Sequence, residues 1–216
     1  GFVVCFGYKW QGDSAVRCLT ILDHPGADIH DDTELLKAAV KVINEADIIV
    51  AHYGEEFDRK FLRARLLHCG LPPLPDTRLI DTCLLARAAL KLSSNRLGNL
   101  AAFLNCRTGK MEKGQGWPDW WMNALRGDRG AIRQMAIYCK QDVQCLEEVY
   151  HALRPVIPHK YLLHAGIGKT DYVCAACGEA VQSRGFYFSA KKKYRRYCCT
   201  GCGKWGHEAK AVESAR

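Results

Sequence analysis

Apolar residues along this chain alternate in some stretches and recur at helical spacing in others, which divides it into short strands and amphipathic helices. Gly1–Trp10, GFVVCFGYKW, is rich in β-branched and aromatic residues and predicts a strand. Gln11-Gly-Asp-Ser is turn chemistry and Val16–Leu22 predicts a second strand, so the two read as an antiparallel hairpin. Asp23–Asp32 is polar and turn-like. Thr33–Glu45 then places Leu35, Leu36, Ala39, Val42 and Ile43 on one side of a helix. Asp47–Ala51 predicts a short buried strand, parallel to its neighbour because helices flank it. Phe57–His68 predicts a helix closed by Gly70 and the Pro72-Pro73 break. Arg78–Ile80 reads as a brief strand. Helices are expected over Asp81–Leu90, Leu97–Leu104, Asp119–Leu125 and Asp128–Leu153, the last ended by Pro155. Asn105–Gly116 reads as a loop.

A hairpin followed by helices alternating with parallel strands predicts a mixed α/β sheet with helices packed on it. The 216 residues suffice for one such domain, placed at residues 1–160, and a small appendage at 169–210. No apolar window is long enough to cross a membrane, and the N-terminus lacks a basic segment followed by an apolar one. A soluble protein of a reducing, intracellular compartment is the expectation. Twelve cysteines fit that setting. Seven are scattered, at 5, 18, 69, 83, 106, 139 and 145, and read as reduced, mostly buried thiols. Five crowd into Cys174–Cys202 and read as metal ligands.

Within that crowd, Cys174-Ala-Ala-Cys177-Gly and Cys199-Thr-Gly-Cys202-Gly are two C-x₂-C knuckles with 21 residues between the inner cysteines. Four thiolates at this spacing suit a closed, structural Zn²⁺ site. Cys198 lies outside the pattern, although a one-residue slip exchanges it for Cys199. Disulfides or free thiols are the alternative readings. Gly185–Ser189 and Tyr194–Tyr197, joined by Ala190–Lys193, predict the hairpin of a zinc ribbon. So small a module builds little core, and metal would carry much of its stability. Charge concentrates here too. Lys169–Arg216 holds ten Lys/Arg against four Asp/Glu, a net +6 out of +8 for the whole chain. Lys191, Lys192, Lys193, Tyr194, Arg195 and Arg196 interleave cations with aromatic rings, a combination that meets phosphates and stacks on unpaired bases. A solvated hairpin tip or a protein-binding ribbon is the blander reading.

The remaining chemistry lies in two stretches. Ala51–Asp58, AHYGEEFD, follows the apolar run Ile48-Ile49-Val50 and places Asp58 where a turn enters a helix. Alone, Asp58 reads as an ordinary helix cap. Some eighty residues on, Tyr138-Cys-Lys-Gln-Asp142 puts a tyrosine and an aspartate on one helix face. In this order, the two stretches resemble the second and third motifs of the DEDD-type 3′–5′ exonucleases, and the tyrosine resembles their DEDDy branch. Leu71-Pro-Pro-Leu-Pro, Leu79-Ile80-Asp81-Thr82 and Ser94-Asn95-Arg96-Leu97 look like the phage and bacterial members.

The resemblance implies a ribonuclease-H-like fold and phosphodiester hydrolysis with two Mg²⁺ or Mn²⁺ ions. Asp58 and Asp142 would be two of four metal-holding carboxylates, and Tyr138 would orient the attacking water. It also implies a central first strand ending in Asp-x-Glu, the source of the other two carboxylates. No such pair occurs near Gly1, so the expectation is that a segment preceding Gly1, or another chain, supplies that strand. The family's second motif commonly carries Asn after the His; here Tyr53 follows His52. Two functions stay open: a metal-dependent exonuclease acting on DNA or RNA, and an inactive relative that binds nucleic acid or serves as a structural subunit of a nucleoprotein complex. Asp81 is expected only to cap a helix, and His52 is not expected to bind metal.

Overall fold

The computed structural model describes residues 1–24, 26, 28–109, 117–157, 173–174, 176–189, 192–208 and 212–214. They fall into two compact units, Gly1–Tyr150 and His151–Arg216.

The first unit opens with β1 (Cys5–Tyr8) and β2 (Arg17–Thr20), paired antiparallel with Cys5 opposite Thr20 and Gly7 opposite Cys18. The second strand stops at Thr20, short of the Leu22 that alternation predicts. A capping box causes the stop. Thr20 Oγ1 accepts from the Leu22 amide at 3.2 Å, and Asp23 Oδ2 accepts from the Thr20 amide at 2.7 Å. These bonds turn Ile21–Asp23 into one 3₁₀ turn. The helix α1 (Thr33–Asn44) buries Leu35, Leu36, Ala39 and Ile43. Next come β3 (Ile48–Ala51), α2 (Asp58–His68), β4 (Arg78–Asp81), α3 (Thr82–Ala89), α4 (Leu97–Phe103) and α5 (Trp117–Leu125). The long α6 (Arg129–Leu153) follows, its last turn belonging to the second unit. As the flanking helices suggest, β3 pairs with β4 in parallel.

One apolar core joins the hairpin to the helices. Val3, Val4, Ile21, Leu35, Leu36, Leu62, Leu66, Ile132 and Met135 are buried in it, with Phe6 and Ile49 packed at its margin. The sheet itself is interrupted. β1 pairs with β2 and β3 with β4, and among the described residues no ladder joins the two pairs. All four residues of β1 and all four of β3 are only half-buried, although most of them are apolar. Among the described residues, neither β1 nor β3 has a second strand beside it, and neither is fully covered.

A buried ion pair braces this unit. Asp32, fully buried, accepts from the Val3 amide at 2.6 Å and from Arg65 at 3.0 Å (Nε) and 2.6 Å (Nη2). Burial alone would push the Asp32 carboxyl up, but these donors outweigh it and hold it below the usual carboxylate range.

In the second unit, β5 (Val181–Ser189) and β6 (Lys192–Cys199) form an antiparallel hairpin. Two short strands that alternation does not signal, β7 (Trp205–His207) and β8 (Glu213–Ser214), both pair with β6. No helix among the described residues is long and apolar enough to cross a membrane.

Candidate active site and metal centre

The turn between β3 and α2 is built around Asp81. This buried carboxylate caps α3 by accepting from the Cys83 amide at 2.9 Å and the Leu84 amide at 3.2 Å. It also accepts from the amides of Tyr53 at 2.9 Å and Glu55 at 3.2 Å. Capping was legible in the sequence; the second task, holding the preceding turn, was not. His52 turns its Nδ1 to the Thr82 hydroxyl at 2.9 Å, and that hydroxyl donates to the Ala51 carbonyl at 3.1 Å. Tyr53 adopts φ +63°, the left-handed region, where asparagine is tolerated far better than tyrosine. Such a conformation costs an L side chain about 1–2 kcal/mol. The departure from the motif therefore falls at a position where backbone geometry alone favours Asn.

Asp58 is the first residue of α2, and the cap position falls to Phe57. The turn before it passes close to β3 at Gly54, where a Cβ would lie 2.5 Å from the Ala51 Cβ. Asp58 keeps surface open to solvent, yet it stands in a hollow where protein displaces much of the surrounding water. This desolvation pushes its carboxyl up to about 6, and the nearby charges of Cys139 and Asp81 add to the rise.

Cys139 follows Tyr138 on α6, so its influence on Asp58 brings the entry of α2 beside the middle of α6. Tyr138 is buried and Asp142 half-buried, one turn apart. That helix face packs on the protein and is not a solvated surface.

In the second unit, the four sulfurs of Cys174, Cys177, Cys199 and Cys202 all lie within 4.8 Å of one another. Cys174 and Cys202 are 3.7 Å apart, and Cys177 and Cys199 are 3.5 Å apart. A tetrahedral ion with Zn–S bonds of about 2.3 Å needs sulfur separations of about 3.8 Å. The knuckle turns aim amides at the sulfurs: Ala176 donates to Cys174 at 3.4 Å, and Gly201 and Cys202 donate to Cys199 at 3.3 and 3.4 Å. Burial alone would raise the Cys199 thiol, but these amides and the Cys177 thiol bring it down to about 7. Cys198 sends its thiol instead toward the carbonyls of Cys199 and Gly203. The donor set fits a thiophilic divalent ion, with Cys199 rather than Cys198 in it.

The ribbon surface mixes rings and cations. Tyr187 stacks on His207 at 4.6 Å, and Tyr194 lies 5.1 Å from the same ring. Arg196 sits 4.8 Å over Trp205, and Lys193 sits 4.1 Å over Phe186. Phe188 and Trp205 expose 66% and 51% of their surface. Lys192, Lys193, Tyr194, Arg195 and Arg196 lie on β6, while Lys191 lies outside the described residues. Lys204 departs from this pattern. It is buried, and its ammonium donates to the carbonyls of Pro155, at 3.4 Å, and Ile157.

Comparison with known proteins agrees with this layout. The family model described as RNase_H superfamily matches residues 1–154. A 70-residue stretch, 32% of the chain, is 44% identical to a protein of Ureaplasma parvum serovar 3 (strain ATCC 700970) named DNA polymerase III PolC-type. That stretch covers 5% of the relative's length.

Proposed function

This chain belongs to the RNase_H superfamily, and from that membership we propose that its first unit is a metal-dependent 3′–5′ exonuclease domain. The second unit is then a zinc-stabilised, nucleic-acid-binding ribbon. One observation carries the exonuclease reading: Asp58, not spent as a cap and with a raised carboxyl, stands beside the α6 segment bearing Tyr138 and Asp142. The likeness over part of its length to a protein named as a DNA polymerase III supports nucleic acid as substrate.

Asp58 and Asp142 offer hard oxygen donors suited to Mg²⁺ or Mn²⁺. When bound, a pair of such ions would activate water and stabilise the leaving oxygen. Two carboxylates hold such a pair poorly, and the interrupted sheet suggests where the others enter. A strand seated between β1 and β3 would pair with the free edge that each has among the described residues. It would also bring an Asp-x-Glu pair to the end of β3, where Asp58 stands. In this arrangement Tyr138 positions the attacking water through its hydroxyl. Asp81 and Thr82 hold the turn that aims Asp58.

A second reading, an inactive nucleic-acid-binding or structural subunit, draws support from Tyr53. The decisive assay incubates the native protein with end-labelled single-stranded DNA and RNA, with and without Mg²⁺ or Mn²⁺. Shortening from the 3′ end that needs the metal and is lost in Asp142→Asn upholds the exonuclease. Binding without shortening, unchanged when Asp58 and Asp142 are both neutralised, upholds the second reading instead.

A further inference from the structure

The scattered cysteines are not all scattered in space. Cys5 on β1, Cys18 on β2 and Cys139 on α6 bring their sulfurs within 4.8 Å of one another. The hairpin register explains two of them. Gly7 lies opposite Cys18 and Cys5 opposite Thr20, so Cys5, Gly7, Cys18 and Thr20 share one face of the pair. Cys5 and Cys18 are diagonal neighbours on it. The third arrives because Gly7 has no side chain. A Cβ at Gly7 would lie 2.6 Å from Cys139 Sγ, within the space that sulfur fills. Gly7 has no positive φ, so its backbone conformation does not call for glycine; the close approach of Cys139 does. Cys69, Cys83, Cys106 and Cys145 join no such group among the described residues.

We propose that Cys5, Cys18 and Cys139 form a second metal site, which takes a single thiophilic cation: Cu(I) in three-coordinate geometry, or Zn²⁺ with a fourth ligand from solvent. Soft thiolates select these ions over Mg²⁺ or Mn²⁺. An ion with sulfur bonds of about 2.3 Å needs sulfurs about 4 Å apart in a trigonal or tetrahedral arrangement, within the spread observed. No carboxylate or histidine joins the group among the described residues, which leaves three sulfur donors. The Cys18 thiol donates to the Leu19 carbonyl at 3.6 Å and the Cys5 thiol to the Met135 carbonyl at 3.9 Å. A bound ion displaces these thiol protons. It also fastens the hairpin to the helix bearing Tyr138 and Asp142. This site is separate from the four-cysteine centre and does not depend on the exonuclease reading.

The test measures metal retained by the full chain after loading with Zn²⁺ alone or Cu(I) alone under anaerobic, reducing conditions and dialysis against a weak chelator. With at least one of the two metals, the unaltered chain should retain two ions, one per cysteine group. Cys139→Ser should retain one and Cys106→Ser two. The metal that shows this difference is the ion the site takes. Equal retention by the unaltered chain and Cys139→Ser, for both metals, overturns the site. A second measurement needs no variant. Maleimide labelling with peptide mapping should show Cys5, Cys18 and Cys139 protected together by added metal, slowed about tenfold, with Cys106 unprotected. Unchanged labelling of the three overturns the proposal, as does recovery of the cluster only as a disulfide without retained metal.

Discussion

Asp58 shows how much of a single residue's character comes from its surroundings. A carboxyl raised to about 6 from an unfolded value of 3.8 binds its proton more tightly in the folded state. Its effect on stability is most favourable below about 4 and is lost as pH climbs through about 6. The folded protein therefore bears an uncompensated charge at neutral pH. Asp58→Asn should raise the melting temperature of the first unit in buffer free of Mg²⁺ and Mn²⁺, and the gain should grow from about pH 4 to about pH 7. Melting curves for both proteins across that range check this; a gain independent of pH would refute it. The position of Asp58 was legible from an apolar run ending in a turn before a helical pattern. The pairing of Asp32 with Arg65, and the grouping of Cys5, Cys18 and Cys139, were not. Those partners are distant in sequence, and no local periodicity records which distant side chains meet.

Elements were read most accurately where burial is one-sided. The apolar stripe of α1 marked its buried face and the parallel partner of β3 followed from its helices, but β3, expected to be buried, is only half-buried along all four residues. The end of β2 was misplaced because Thr20 and Asp23 spend their side chains on a turn that apolar alternation does not record. β7 and β8, three and two residues long, are too short for any period to show. How elements are tied together matters as much as where they end. Asp32 joins the segment before β1, the start of α1 and the middle of α2. Asp32→Ala strands a mostly buried guanidinium and a buried amide, and should cost about 3–5 kcal/mol in chemical denaturation. Asp32→Leu with Arg65→Met should recover most of that loss, because the unpaired charge is then gone.

The molecule as a whole divides its sources of stability. The first unit has an extended apolar core, whereas among the described residues the second leaves nearly all of β5 exposed and buries only Leu153, Ile157, Cys174, Ala176, Cys199 and Lys204. A thiophilic chelator should therefore strip amide protection from β5 to β8 while α1, α2 and β3 keep theirs. Hydrogen exchange followed by mass spectrometry reads both in one experiment. Equal loss in the two units would show that the core, too, depends on metal.

The interrupted sheet has one more consequence. Two separate strand pairs present four outer strands where a continuous sheet presents two. An unpaired strand offers a ready template to any extended chain, including another copy of the same molecule. A strand that completes the sheet, as proposed, would cover such a template and so guard against self-association as well as bring carboxylates to the site.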